Sequence, residues 1–263
     1  MEYYAGLFDA EGCISLTPMG SIKVRLNNTR KSIPDLFQKR FGGTIYKETK
    51  TAKTMWNWYL NAENIVDFCS QIIPYSRIKR KQLELLLSYK NSNRVTRREN
   101  RKDIIHRIAS YKKPLQVSHE YFTNPDSIIP DEPFFKWLAG FIEGDGSIRI
   151  YSQSHNHDVF TTNVAISNTF AEPILYVFQR IQGGITLVKS HPHNMWRWVC
   201  SEKAVKPLLI SLMPYLYVMK EQAQLILDFL EIKYSKNPTH KYTYDQINSI
   251  RDIVNKVKHL NSL

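Results

Sequence analysis

The chain repeats itself, and this internal duplication constrains its fold more than any other feature of the sequence. The nonapeptide Tyr4–Gly12 (YAGLFDAEG) is matched by Leu138–Gly146 (LAGFIEGDG), so that Glu11 and Asp145 stand 134 residues apart. The match continues at a spacing of 140 residues through the Trp-x-Trp and Pro-Tyr pairs of each copy. The second copy is therefore six residues longer, and we expect the extra residues to lengthen its first hairpin around 155–157.

Each copy has the pattern helix, two strands, helix, two strands and then two helices, which predicts an α+β fold. Strands are expected at about Cys13–Thr17, Ile22–Asn28, Thr44–Lys47, Met55–Asn61, Ser147–Gln153, Phe160–Asn168, Ile185–Ser190 and Met195–Cys200. Helices are expected at about Ile33–Arg40, Ala62–Ile73, Lys79–Lys90, Glu172–Ile181, Lys203–Met213 and Lys220–Tyr234. Each copy should form one antiparallel sheet with its helices on one face.

The duplication also predicts the domain organisation: an N-terminal repeat over 1–92, a linker with a basic helix over 93–132, and a C-terminal repeat over 133–263. Two S/T-x-x-E/Q capping boxes predict helices that begin near Arg97 and near Tyr244. The basic residues of the linker helix are Arg94, Arg97, Arg98, Arg101, Lys102 and Arg107. A solvated charged face and a face that contacts phosphate both remain open for this helix.

The charge balance favours a polyanionic partner, because 36 Lys and Arg residues outweigh 24 Asp and Glu to give a net charge of +12. Nucleic acid and an anionic membrane surface both satisfy this condition. The longest apolar run, Leu208–Val218, is too short to span a bilayer and indicates a core helix rather than a membrane segment. We expect nucleic acid, and no membrane, as the partner. The three cysteines are widely spaced and predict neither a disulfide framework nor a thiolate zinc site. No removable presequence is expected, because the first motif begins at Tyr4.

The repeated nonapeptide carries small residues four positions apart, Gly6 and Ala10 in one copy and Gly140 and Gly144 in the other. Such stripes let two helix backbones approach closely, so the two nonapeptide helices should pack on each other. Each motif ends in a glycine, which we expect to adopt a left-handed conformation that terminates its helix.

The acidic residue before each final glycine then lies in the last helical turn, beside its counterpart across the helix pair. A carboxylate at a helix C-terminus opposes the macrodipole, and two adjacent carboxylates repel each other, so a cation between them is needed. Hard oxygen ligands favour Mg²⁺ or a similar ion.

The two nonapeptides resemble the motif of the LAGLIDADG homing endonucleases in their single-chain, two-motif form. The resemblance covers both motifs and, through the repeat, nearly the whole chain outside the linker. It implies two αββαββα repeats related by a pseudo-twofold axis, with the motif helices at their interface. It also implies sheets that form a saddle in the major groove of a long asymmetric duplex target. It further implies a monomer that makes a double-strand break by metal-dependent phosphodiester hydrolysis during intron homing.

The resemblance also assigns site residues. It implies a metal set of Glu11, Asp145, Ala10 and Gly144, although Asp is more usual where this chain has Glu11. Mg²⁺ or Mn²⁺ is the implied cofactor, with Ca²⁺ expected to bind without supporting cleavage. The implied accessory residues are Asn28, Asn168, Lys81 and Lys220. Lys79 is a further lysine of the same segment as Lys81. For each lysine the alternative is a position on a solvated helix face. The earlier acids, Asp9 and Glu143, are expected to be structural partners of basic groups.

Alternation along the strands selects candidates for base contact, because a β-ribbon fits the major groove and its polar row faces the base edges. These candidates are Ser15, Thr17, Ser21, Lys23, Arg25, Asn27, Tyr46, Arg149, Tyr151, Gln153, His155, Thr161, Asn163, Lys189 and Arg197. A plain solvent face is the alternative for each of them. The four tryptophans of the Trp-x-Trp pairs are expected in the core, and the His-x-His pairs of the second copy in loops that face DNA rather than at zinc.

Two other functions remain open. An intron RNA maturase with the same fold would bind structured host intron RNA, and a DNA-binding regulator with a degenerate nuclease fold would lack the acidic pair. The intact pair Glu11 and Asp145 argues against the regulator. The compartment is open between an organelle matrix and a prokaryotic cytoplasm.

Overall fold

The computed structural model describes residues 1–49, 54–114, 117–122, 127–153, 156–189, 194–235 and 242–262, with the backbone alone at 152, 153, 156–159, 261 and 262. The elements of the first half are α1 (Glu2–Glu11), β1 (Gly12–Leu16), β2 (Ile22–Asn28), α2 (Ser32–Phe41), β3 (Thr44–Glu48), β4 (Met55–Tyr59), α3 (Ile65–Ile72), α4 (Arg80–Asn91) and α5 (Arg94–Ser110). Those of the second half are α6 (Glu132–Asp145), β5 (Gly146–Gln153), β6 (Asn156–Asn168), α7 (Ala171–Phe178), β7 (Gly183–Val188), β8 (Met195–Cys200), α8 (Glu202–Leu212), α9 (Lys220–Tyr234) and α10 (Tyr244–Ser262).

Each half contains one four-stranded antiparallel sheet, with strand orders β1-β2-β4-β3 and β5-β6-β8-β7. In the first hairpin of each sheet, alternate residues point into the core: Ile14, Leu16, Val24 and Leu26 in one sheet and Ile148, Ile150, Val164 and Ile166 in the other. The helices cover that apolar face, and the opposite face of each sheet is polar. The predicted α+β fold class, with one antiparallel sheet per repeat, is therefore confirmed.

The extra length of the second repeat lies in its first hairpin, as predicted. In the first repeat, β1 ends at Leu16 and β2 begins at Ile22. In the second repeat, the longer strand β5 ends at Gln153 and the longer strand β6 begins at Asn156. The pairing of β5 with β6 shifts register between Ser152 and Gln153. The predicted start of β6 at Phe160 was therefore too late, because the strand continues beyond its buried apolar segment.

The two capping predictions had different outcomes. At α10 the box forms as expected, since the Thr243 backbone N–H donates to Gln246 Oε1 (2.9 Å) and the Gln246 N–H to Thr243 Oγ1 (3.2 Å). The predicted start of α5 near Arg97 is wrong. Helix α5 begins at Arg94, because the Asn93 side chain caps it by accepting the Thr96 N–H at 2.9 Å.

The trailing helices α5 and α10 pack against β1 and β5, the edge strands of the two sheets. Helix α5 buries Ile104 and Ile108, and its Arg101 Nη1 donates to the carbonyl of Pro18 at the hairpin turn (2.9 Å). Edge strands present unpaired backbone groups, and a helix packed next to one edge hinders the pairing of another chain there. Helix α5, which opens the predicted linker, thus packs on the first repeat.

The two halves meet through the pair of nonapeptide helices, α1 and α6. A Cβ added to Gly6 would lie 2.0 Å from the Trp137 carbonyl oxygen, and one added to Gly140 would lie 2.0 Å from the Tyr3 carbonyl oxygen. The reciprocal pattern has approximate twofold symmetry, because Tyr3 and Trp137 occupy equivalent repeat positions. The predicted close packing of the small-residue stripes is confirmed.

Within the described residues, no helix combines the length and the apolar character needed to cross a membrane.

We predict that Gly140→Ala destabilises the protein, because the new methyl group would overlap backbone rather than a movable side chain. Overpacking of this kind costs about 1–3 kcal/mol or more, which corresponds to a fall in Tm of about 2–4 °C per kcal/mol. Gly184→Ala is the matched control, because nothing lies within 4 Å of its added Cβ. Equal melting temperatures for the two variants would contradict the close helix packing.

Candidate active site

The end of each nonapeptide helix passes directly into the first strand of its sheet. Gly12 and Gly146 follow α1 and α6 with φ of −70° and −96°, so both are extended. The predicted left-handed glycines are therefore wrong. Glycine is required here for space instead, since an added Cβ would lie 2.4 Å from Phe8 Cδ2 at Gly12 and 2.6 Å from Ile142 Cα at Gly146.

The two acids of the motifs lie together at these helix ends. A Cβ added to Gly144, the residue before Asp145, would lie 3.0 Å from Glu11 Cγ. The two carboxylates are close enough to interact electrostatically. An asparagine holds each of them: Asn28 Nδ2 donates to Glu11 Oε1 and Asn168 Nδ2 donates to Asp145 Oδ2, both at 2.8 Å. The structure thus brings these four residues together.

The asparagines are themselves fixed by their own turns. Asn28 Oδ1 accepts the backbone N–H of Arg30, and Asn168 Oδ1 accepts that of Phe170, both at 2.8 Å. Each amide therefore has one orientation, in which its NH₂ group faces the carboxylate. The same arrangement recurs in both repeats, so the two carboxylates are positioned by equivalent contacts.

The acidic pair is electrostatically unfavourable without a cation. Burial and then repulsion by Asp145 raise the pKa of Glu11 to about 7, against the hydrogen bond from Asn28 and the attraction of Lys79. Burial also raises the pKa of Asp145, and Lys79 and Asn168 oppose this rise. Two carboxylates with open coordination and a helix C-terminus behind each suit a hard divalent ion that retains waters and binds phosphate. Among the described residues, no group of three His, Cys, Asp or Glu side chains could hold a metal.

The earlier acids of the motifs, Asp9 and Glu143, are buried structural groups. Asp9 accepts Ser76 Oγ and the Arg77 N–H, both at 2.6 Å, and the Lys79 N–H at 3.0 Å. Glu143 accepts three consecutive backbone N–H groups, those of 217–219, at 2.6–2.9 Å. The expected partners were basic groups, but the partners found are mainly backbone amides. Each acid thereby fixes the loop before α4 or α9.

These same acids link the two halves. Trp137 Nε1 of α6 donates to Asp9 of α1 at 3.1 Å, and Tyr3 OH of α1 donates to Glu143 of α6 in a buried hydrogen bond. The aromatic donors and the acids are both 134 residues apart, so the two bonds are symmetry equivalents. Their burial makes each bond costly to break, which fixes the register of α1 against α6.

The lysine nearest the acids is Lys79. Its ammonium donates to the Asp9 backbone oxygen, and it interacts electrostatically with Asp9, Asp145, Cys13 and Glu11. Burial lowers the pKa of Lys79, and these acidic groups oppose that shift. Lys81 and Lys220 have exposed side chains, and the Lys81 ammonium lies 5.8 Å from the centroid of the Tyr111 ring. Comparison of the two repeats could have singled out Lys79 as a site residue, because this charged residue stands where the second copy has the apolar Met219.

Sequence reasoning also missed two cationic residues near the motif helices. Lys112, which follows α5, has its ammonium 3.9 Å from Cys13 Sγ at the start of β1. Arg30 follows β2, and its Nη2 donates to the Leu260 carbonyl oxygen of α10 at 2.9 Å. Neither position carries a motif signal, because the close approach of α5 and α10 to these residues depends on tertiary packing.

The polar face of the first sheet contains the predicted base-contact row. Cross-strand pairing places Ser15 beside Lys23, and Tyr46 and Asn27 on either side of Asn57. Lys23, Arg25 and Ser21 are exposed, and so is Tyr46 (57%), whereas Val24 and Leu26 between them are buried. Ser15, Thr17 and Asn27 are half-buried on the same face.

The second sheet presents an equivalent face. Arg149 pairs with Asn163, Tyr151 with Thr161, and Arg197 lies between Ser167 and Thr186. Arg149, Tyr151 and Lys189 are exposed, while Thr161, Asn163 and Arg197 are half-buried. His155 lies outside the described residues, as do His191 and His193, and of Gln153 the backbone alone is described.

Three of the four tryptophans in the strands are buried in the core, as predicted. Trp58 and Trp198 are fully buried, and their indole N–H groups donate to the carbonyl oxygens of Gly42 (2.8 Å) and Ile181 (3.1 Å). Trp196 is also buried, while Trp56 is half-buried with the ammonium groups of Lys31 and Lys47 within 6 Å of its ring.

Comparisons with known proteins agree with this architecture. The chain is 29% identical over 115 residues, 41% of its length, to a DNA endonuclease of Chlorella vulgaris, I-CvuI, of which the match covers 71%. The LAGLIDADG homing endonuclease I-GzeII in complex with its DNA target has a TM-score of 0.68 at 16% identity, with 96% of both chains covered. I-SmaMI, bound to uncleaved DNA in the presence of calcium ions, has a TM-score of 0.65 at 16% identity over 98% of both chains. No family model matches the chain. The fold implied by the motif resemblance, in its two-repeat single-chain form, is thus confirmed.

We predict that Glu11→Gln stabilises the metal-free protein at high pH. A carboxyl group whose pKa is about 7 in the folded chain, against 4.5 in the unfolded chain, favours folding in its protonated form. The contribution of this carboxyl group to the free energy of unfolding is therefore fully present below about pH 4.5 and is lost as the pH rises toward and through about 7. The Tm difference between Glu11→Gln and the wild type should be small at pH 5 and largest at pH 8.

The exposed Glu63 supplies the control, since Glu63→Gln should leave the Tm almost unchanged at both pH values. Addition of Mg²⁺ at pH 8 should raise the Tm of the wild type more than that of Glu11→Gln. A Tm difference that did not vary with pH would contradict the proposed repulsion in the acidic pair.

Proposed function

We propose that this chain, which has the two-repeat fold of the LAGLIDADG homing endonucleases, is a site-specific endonuclease that cuts both strands of duplex DNA. The observation that carries the proposal is the half-buried pair Glu11 and Asp145, held by equivalent asparagines at the junction of two polar sheet faces. The relative I-CvuI is named as a DNA endonuclease, and similar solved structures contain DNA targets. An alternative function as an intron RNA maturase is not favoured by these relatives.

The two sheet faces support recognition of a long duplex. Each face carries rows of Arg, Lys, Asn, Thr and Tyr side chains across paired strands, and the chain has a net charge of +12. A twisted antiparallel ribbon enters the major groove, where Arg and Asn can distinguish bases by paired hydrogen bonds. The two faces differ in their residues, which supports an asymmetric target. A single chain completes the α1/α6 helix pair, which supports a monomer.

The acidic pair supports metal-dependent hydrolysis of one phosphodiester in each strand. Bound Mg²⁺ or Mn²⁺ would polarise the phosphate and lower the pKa of a water nucleophile. Glu11 and Asp145, with the adjacent Ala10 and Gly144, are the residues that would hold it. The protein's own contribution is orientation, because the fixed Asn28 and Asn168 amides hold the carboxylates in position. Lys79 adds a positive charge next to the acids, which favours an approaching phosphate.

We expect Asp145→Asn to abolish cleavage and to preserve DNA binding. Loss of a metal-binding carboxylate removes several kcal/mol of transition-state stabilisation, or about a thousandfold or more in rate. The substrate is the uninterrupted form of the host gene, in Mg²⁺ for cleavage and in Ca²⁺ for gel-shift binding. If the wild-type protein left this DNA uncut and bound host intron RNA tightly, the maturase function would be favoured instead.

We expect the exposed Lys23 of the first sheet to contact DNA phosphate or base edges. Lys23→Ala should weaken target binding and reduce the slope of log K against log [salt] by about 1. Lys203→Ala is the matched control, because Lys203 is an exposed lysine on helix α8, away from the polar sheet face. Equal loss of affinity in the two variants would contradict binding through the sheet.

A further inference from the structure

Helix α5 lies along the edge of the first sheet and runs antiparallel to β1. Arg101 Nη1 of this helix donates to the carbonyl oxygen of Pro18 in the turn between β1 and β2 (2.9 Å). After the end of the helix, the Lys112 ammonium lies 3.9 Å from the Sγ of Cys13, at the start of β1. The first turns of α5 therefore lie near the β1–β2 turn, at the end of the sheet that is remote from the motif helices.

The beginning of α5 carries an excess of unpaired positive charge. Its first eight residues include four arginines and one glutamate. Among the described residues, none of these arginines forms an ion pair, whereas Arg107 near the end of the helix pairs with Asp103 at 3.6 Å. Cations in the first turns of a helix also oppose its dipole. The stability of the helix therefore does not explain the four arginines, which are Arg94, Arg97, Arg98 and Arg101.

Three of these arginines form one surface. Arg94, Arg98 and Arg101 are spaced four and three residues apart, so they lie on the same side of α5, here called the arginine face. Arg94 and Arg98 are exposed, and Arg101 is half-buried against the β1–β2 turn. The three positions extend over about 10 Å, the span of about three phosphates along one DNA strand. Arg107 follows Arg98 by nine residues and points about 180° away.

The corresponding helix of the second repeat has neutral residues at the equivalent positions that the structure describes. Helices α5 and α10 pack on the equivalent strands β1 and β5. Their buried residues align at a spacing of 146, Ile104 with Ile250 and Ile108 with Val254. At this spacing Arg97, Arg98 and Arg101 correspond to Thr243, Tyr244 and Ile247. Packing of a trailing helix against its sheet therefore does not require the arginines.

The arginine face is continuous with the surface already proposed to bind DNA. The β1–β2 turn ends the polar face of the first sheet, where Ser21 and Lys23 are exposed. An arginine guanidinium can bind phosphate by two parallel hydrogen bonds. A row of unpaired cations also attracts a DNA backbone whatever its base sequence. The occupant that fits this face is the backbone of the same duplex, where the duplex continues past the first sheet.

We propose that the arginine face of α5 binds phosphates of the target duplex just outside the base pairs that the first sheet contacts. The inference rests on the proposed endonuclease function and adds an interaction surface to it. The footprint of the protein is then longer on the side of the first repeat. Phosphate contacts position a protein without reading bases, so the flanking base pairs should contribute affinity regardless of their sequence.

The first test measures binding of the full chain to the uninterrupted host-gene duplex in Ca²⁺, between about 50 and about 200 mM salt. Arg94→Gln/Arg98→Gln removes two charges of the arginine face and keeps Arg101 at the turn. The matched control, Arg107→Gln/Lys203→Gln, removes two exposed charges that point elsewhere. We expect the first variant to reduce the slope of log K against log [salt] by about 2, so that its loss of affinity is about tenfold larger at the lower salt concentration. The control should leave the slope unchanged.

The second test locates the contact by ethylation of single phosphates and by trimming the duplex from either end. Ethylation of about three phosphates beyond one end of the base-specific site should weaken binding by the wild type. The same modifications should leave binding by Arg94→Gln/Arg98→Gln unchanged. Trimming of that end should likewise weaken the wild type more than the variant, and a changed flanking sequence should have no effect.

Equal salt slopes for the two double variants, or an ethylation pattern that Arg94→Gln/Arg98→Gln shares with the wild type, would overturn the inference and leave the nuclease function intact. Loss of binding to host intron RNA, with DNA binding unchanged, would assign the face to RNA and also overturn it. An unchanged Tm separates these effects from misfolding, and Arg98→Gln alone, with an expected slope change of about 1, serves if the double variant does not fold. A wild type that neither binds nor cuts the duplex would instead remove the proposed function, and the inference with it.

Discussion

The close backbone contact between α1 and α6 is the constraint on which the rest of the structure depends. A side chain at position 6 would overlap the Trp137 carbonyl oxygen, and a side chain at position 140 would overlap the Tyr3 carbonyl oxygen. Glycine at both positions therefore allows the two helix backbones to touch. The same approach brings two carboxylates together at the helix ends, where burial raises the pKa of both and repulsion by Asp145 adds to the rise at Glu11. The packing energy of the helix pair therefore offsets an electrostatic cost that is useful for binding a cation.

Much of the fold could be predicted from the sequence because the duplication gives each pattern twice. The strands, the helix pair and the asparagine partners of the acids follow from residues that recur at fixed spacing. Predictions failed where one residue type serves two physical purposes. Gly12 and Gly146 suggested left-handed helix ends, yet they are extended and are small because Phe8 and Ile142 leave no space for a side chain.

The lysines illustrate a second limit of prediction from sequence. Family resemblance favoured Lys81, but that side chain is exposed on α4, whereas the ammonium of Lys79 donates to the Asp9 carbonyl. A difference of two residues at the start of a helix changes the direction of a side chain by about 200°, and local spacing does not determine where the helix begins. Arg30 was missed for another reason, since its position depends on α10, more than 200 residues away in the chain.

The glycine before Asp145 belongs to the geometry that brings the two acids together. A Cβ on Gly144 would lie 2.4 Å from the Cβ of Ala10 and 3.0 Å from Cγ of Glu11. The glycine in the second motif therefore makes room both for the methyl group of Ala10 and for the side chain of Glu11. Any side chain at position 144 would force one of these groups to move, so the small residue is needed where the two carboxylates meet.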